Sequence, residues 1–132
     1  MYFPYLRGRQ NELLCLRELL EANRLYNTII PVIEPVRCNS TFFTTIIKFI
    51  EADRKIIIIK NPKVSKFRSD YEEMKKKIDK ETDLDKKDKL QSTLETYKEL
   101  LKDPHIISAY LCDDRIITQC LEGKKCGRYC FD

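Results

Sequence analysis

The chain has 132 residues and 15.7 kDa, with 25 Lys+Arg against 21 Asp+Glu and a formal net charge of +4. That length suits one domain with a genuine core, and the apolar runs are too long for a disordered chain. No stretch approaches ~18 uncharged apolar residues, and Met1 to Arg7 lacks the basic-then-apolar pattern of a signal peptide, so a cytoplasmic protein with no membrane contact is expected.

Tyr2 to Leu6 reads as a short first strand, ended by Arg7-Gly8-Arg9. From Gln10 to Arg24, Leu13, Leu16 and Leu20 recur at i, i+3 and i+7 opposite Glu12, Arg17, Glu18 and Glu21, the pattern of an amphipathic helix. Ile29 to Val36 is a run of branched residues, as in a parallel-sheet strand buried on both faces. Pro31 gives no ladder hydrogen, which puts it at the strand's start, an edge or a bulge, and leaves Glu34-Pro35 at the carboxyl end. Asn39-Ser40-Thr41 offers N-caps for a helix burying Phe43, Ile46, Ile47 and Ile50. Ile56 to Ile59 is the plainest strand, closed by Lys60-Asn61-Pro62.

Between residues 65 and 102 the pattern is helical. Phe67, Tyr71, Met74 and Ile78 step by four, three and four, and Leu90, Leu94, Tyr97 and Leu101 repeat those steps out of phase. The polar stretch from Glu81 to Asp85 separates them, which predicts an inserted helical hairpin, with one bent helix as the alternative. Such a hairpin would project from the domain or lie across its face. Asp103-Pro104 ends it. Ile106 to Cys112 makes a fourth strand, and Ile116, Ile117, Cys120 and Leu121 a last short helix. A basic, cysteine-rich tail from Gly123 to Asp132 has no clear element.

The order β-α-β-α-β-αα-β-α argues for a single α/β domain over residues 1–132. It is an open parallel sheet, or half-barrel, of about four βα units. An eight-unit barrel typically needs about 250 residues. Four strands leave open edges, so oligomerisation, including a homodimer, or docking on another protein is expected.

Charge and cysteines bound the chemistry. Between Lys63 and Lys102, 12 basic and 10 acidic residues alternate like a solvated helical surface. Arg7 with Arg9, and Lys124, Lys125 with Arg128, are one-sided clusters able to meet a phosphate. In a chain without an export signal the six cysteines are expected as thiols, with Cys15 and Cys112 packing as small hydrophobes. Cys120, Cys126 and Cys130 are spaced six and four apart, a poor match to a zinc site, so free thiols are favoured. With three glycines and one histidine, no phosphate-cradling loop or Ser-His-Asp triad is foreseen; His105 reads as a surface residue, and no cofactor or metal is expected.

In parallel α/β proteins chemistry collects beyond the carboxyl ends of the strands. That rule selects Arg7, Arg9, Glu34, Lys60, Asn61, Asp113 and Asp114. Arg7, Arg9 and Asn61, with the tail cations, are the candidate binding residues. Glu34 and Lys60 are the candidate proton-transfer pair in an alternative, enzymatic reading. Glu34 lies between Ile33 and Pro35, and a charge so bounded needs a partner.

The opening from Tyr2 to Leu13 and the segment from Ile29 to Val36 resemble the beta-protein family of T4-type phages, and the third strand with Asn61-Pro62 is also similar. The resemblance runs over roughly the first 110 residues and rests mainly on the opening motif. It implies a barrel-like fold on phages and mobile or defence-linked islands, in a family mostly without an established activity. Members are usually more than twice this long. This chain stops after the fourth unit, and its cysteine-rich tail differs from the family's continuation, which favours binding over catalysis.

The functional expectation is therefore a phage or mobile-element protein that binds a host protein or ribonucleoprotein in the host cytoplasm, for example as an inhibitor of an RNA-guided (CRISPR-type) defence nuclease. Nucleic acid would be met through the basic ends. The alternatives are an enzyme on a phosphorylated or nucleotide substrate at the strand ends, and a self-assembling structural dimer.

Overall fold

The computed structural model of the chain describes residues 1–63 and 65–123. The expectations for Lys124, Lys125 and Arg128, and for the thiol or zinc state of Cys120, Cys126 and Cys130, lie outside what is described. Elements follow in the order β1 (Tyr5–Gly8), α1 (Gln10–Glu21), β2 (Val32–Pro35), α2 (Ser40–Glu51), β3 (Ile56–Ile59), α3 (Phe67–Lys80), α4 (Leu84–Leu100), β4 (Ile106–Ala109) and α5 (Asp114–Leu121). The four strands form one all-parallel sheet in the sequential order β1-β2-β3-β4.

The first strand is shifted from its expected place. Tyr2 makes an isolated bridge to Ile29, and regular pairing begins at Tyr5 and runs through Gly8, opposite Pro35. Gly8 permits this by packing rather than by turning: a Cβ there would stand 3.0 Å from the Ile33 Cγ2 and 3.2 Å from the Glu34 carbonyl oxygen. Pro31 sits just before β2, where its carbonyl accepts from the Ile57 N–H at 2.9 Å and its missing N–H costs the ladder nothing.

Successive strand residues alternate between the two faces of the sheet. Leu6, Ile33, Ile56, Ile58 and Ile106 share one face and pack in one core with Leu13, Leu16 and Leu20 of α1 and Phe42, Phe43, Ile46 and Phe49 of α2. Helices thus cover that face. On the other face stand Phe3, Tyr5, Val32, Ile57 and Ile107, and here Phe3 is 50% exposed, Tyr5 51% and Ile107 38%. Sequential order with one-sided helices is the layout of a barrel segment, and it leaves the other face uncovered by helices, although Glu34 and Ile59 at that face's carboxyl end are only 4% exposed.

The hairpin is two helices, α3 and α4, and the break falls at the polar stretch read from the sequence. Asp83 caps α4 by accepting from the Asp85 N–H at 3.0 Å. The pair lies on the core rather than projecting from it. Phe67, Tyr71, Ile78 and Leu94 are buried in the common cluster, and Tyr97 stacks on Phe43 of α2 with ring centroids 3.7 Å apart. Asp70 of α3 receives the Arg37 guanidinium at 2.7 and 3.1 Å and the Cys38 N–H at 3.0 Å, fixing the β2–α2 loop to the hairpin.

Two thiols are placed otherwise than expected. Cys15 and Cys112 are exposed, because Cys15 points away from the stripe of α1 that faces the core and Cys112 lies beyond the end of β4. Among the described thiols the buried one is Cys38, whose burial and nearby Asp70 push it up to about 12.

Candidate functional site

The carboxyl ends of β1, β2 and β3 bring Arg7, Glu34 and Lys60 to one rim of the sheet. Register places Arg7 directly beside Glu34, on the uncovered face. Glu34 is only 4% exposed, and both of its oxygens are engaged. Oε2 accepts from the Tyr5 hydroxyl, and Oε1 from the Lys63 N–H at 3.1 Å. Removal from water, the hydrogen bond to Glu34 and its charge together raise the Tyr5 phenol to about 12, so it remains a donor at neutral pH. The partner that Glu34 requires is thus a tyrosine 29 residues away, which no local pattern reveals.

Lys60 is also buried, at 9% exposure, and its N–H donates to the Ala109 carbonyl at 2.8 Å. Asn61 is committed to holding the rim together. Its Nδ2 donates to the Leu111 carbonyl at 2.9 Å, and its Oδ1 accepts from the Leu111 N–H at 2.6 Å. This two-point clasp fixes the loop after β4 against the loop after β3. Asp113 has a similar duty, accepting from the Ile116 N–H at 2.8 Å to start α5.

Three cations remain. Among the described residues, the side chains of Arg7, Arg9 and Lys63 enter no hydrogen bond or ion pair, and all three residues are exposed. With Glu34 buried and occupied, the solvent side of the rim over β1 to β3 is cationic, whereas the β4 end carries the exposed Asp114. No group of three or more His, Cys, Asp or Glu side chains converges to hold a metal among the described residues, and none of their helices is long and apolar enough to cross a membrane.

His105 is more than a surface residue. It is 28% exposed, with Nε2 at 2.7 Å from Asp53 and Nδ1 at 2.7 Å from Asp103. Hydrogen bonds to those two carboxylates raise its pKa, Asp53 first; Asp103 is lowered first by the His105 main-chain N–H, which donates to it at 2.9 Å, and then by the imidazole. The cluster lies at the amino ends of β3 and β4, away from the rim.

No protein-family model, curated protein or solved structure matches the chain.

Proposed function

We propose that the protein acts by binding, and that its rim receives the phosphate-bearing surface of a host ribonucleoprotein rather than a substrate to be turned over. The observation that supports this is the exposed cationic trio Arg7, Arg9 and Lys63, whose side chains enter no hydrogen bond or ion pair among the described residues, at the rim where Glu34 is already satisfied by Tyr5 and a main-chain N–H. Exposed guanidinium and ammonium groups at a shared rim suit phosphate oxygens, and Arg offers a two-pronged donor. The likeness of the opening segment to the beta-protein family supports a phage or mobile-element setting. In that setting an RNA-guided defence nuclease is a ribonucleoprotein of the required kind.

Affinity capture from host lysate, with and without nuclease treatment, tests the reading. Capture of a ribonucleoprotein that weakens steeply with salt and is lost in Arg7→Glu/Lys63→Glu supports it. Capture of no ribonucleoprotein, or binding indifferent to salt and to those changes, overturns it.

A second reading rests on the burial of both Glu34 and Lys60 at adjacent strand ends, a setting in which a carboxylate and an amine can exchange protons with a phosphorylated substrate. Hydrolase or transferase activity abolished by Glu34→Gln and by Lys60→Ala would favour it over simple binding. An activity that survives both changes removes it.

A further inference from the structure

We propose that two copies of this chain close into one eight-stranded parallel barrel, each β4 pairing with the partner's β1 around a two-fold axis that coincides with the barrel axis. This goes beyond the ribonucleoprotein reading, which uses the rim and not the edges. The two edges of the sheet are different surfaces, and they match each other.

At the β1 edge, β1 and α1 leave an apolar groove of about 480 Å³ lined by Pro4, Leu6, Cys15, Leu16, Leu19 and Ile29. Along α1 the lining begins with polar Asn11 and Glu12 and becomes apolar at Cys15 and Leu19. At the β4 edge, α5 turns Ile116 inward and shows solvent the stripe Asp114, Ile117, Thr118 and Leu121 at i, i+3, i+4 and i+7. Ile117 is 45% exposed and Leu121 83%. This stripe also starts polar and ends apolar.

In a closed barrel the helix after β4 of one copy lies beside the helix after β1 of the other, and both start at the carboxyl end of the sheet. Aligned from their first residues, Gln10 and Asp114, the two helices bring Ile117 and Leu121 within two residues, about 3 Å along the axis, of Cys15 and Leu19.

The sheet itself gives the same answer. Tyr2 and Pro4 direct their main-chain groups to β2, so alternation turns those of Tyr5 to the outer edge of β1. His105 and Ala109 bond to β3, so those of Ser108 turn outward from β4. Four strands plus four make the eight of a barrel, and Phe3, Tyr5, Val32, Ile57 and Ile107 of both copies become its interior, with Arg7 and Glu34 of both copies at its carboxyl-end mouth. Head-to-tail contacts make either closed rings or open chains, and a two-membered ring is the closed case here.

Sedimentation of the full chain across a range of concentrations tests the proposal. A reversible dimer is expected. Ile117→Asp/Leu121→Asp, both at exposed positions, should raise its dissociation constant by at least ~100-fold while leaving the circular dichroism of the monomer unchanged. In the unmodified protein, alkylation of Cys15 should slow as concentration rises. A monomer at every concentration overturns the proposal. So do a dimer indifferent to these changes, growth into open chains, or a Cys15 rate independent of concentration.

Discussion

The Tyr5 hydroxyl on β1 donates to the Glu34 carboxylate on β2, two positions along from its own register partner Val32. This diagonal bond crosses the uncovered face and ties the edge strand to its neighbour at the point where a charge is buried. An uncompensated carboxylate at 4% exposure would oppose folding, and the phenol removes much of that penalty.

Replacing Tyr5 with Phe deletes the donor and keeps the ring. The expected loss is about 1–3 kcal/mol in urea unfolding at neutral pH. Combining it with Glu34→Gln, which removes the buried charge, should cost less than the sum of the two single changes. Strict additivity in that cycle would contradict the pairing.

Gly8 predicts a second, steric effect. A methyl group there meets Ile33, Glu34 and Pro35 at 3.0 to 3.3 Å, two of the three contacts being main chain that cannot swing aside. Gly8→Ala should destabilise the fold by about 1–3 kcal/mol and perturb β1 most, as read by hydrogen exchange of its amides.

The His105 cluster predicts pH dependence of definite sign. The histidine is raised above its ordinary 6.5 in the folded protein, so its contribution is complete below about 6.5 and is lost as pH rises through the raised value. Asp103 is lowered from 3.8, so its contribution is present above about that pH and is lost as pH falls through the lowered value. Urea midpoints of the wild type and His105→Gln should differ most between about pH 4 and 6.5 and converge at alkaline pH. A gap that widens with pH would contradict the ion pairs.

Cys38, with a thiol pushed up to about 12, should resist alkylation of the native protein at neutral pH, whereas the exposed Cys112 reacts. Peptide mapping after brief iodoacetamide treatment, compared with the urea-unfolded chain, reads this directly.

Branched runs and helical periods made the four-unit parallel sheet legible in the sequence, because Ile29 to Val36 and Ile56 to Ile59 admit few other readings. The hairpin was legible for the same reason: the phase of its apolar stripe slips at Glu81 to Asp85. The shift of β1 was not, since Arg7-Gly8-Arg9 looks like a turn until Gly8 is seen packed against Ile33. Long-range polar pairs were hidden too. Glu34 advertised a need for a partner, but Tyr5 and Lys63 meet it from 29 residues on either side. Asn61 looked like a binding group, yet its amide clasps Leu111 across 50 residues, a pairing without local signature.

Each strand of this sheet touches only its neighbours in chain order. The N-terminal pair can therefore dock before the rest leaves the ribosome, with no later segment having to thread between strands already joined. By the same geometry, a further unit could be grafted onto either flank without disturbing the existing hydrogen-bond ladders. The architecture is thus additive along the polypeptide, and its size is open to change by simple duplication or loss.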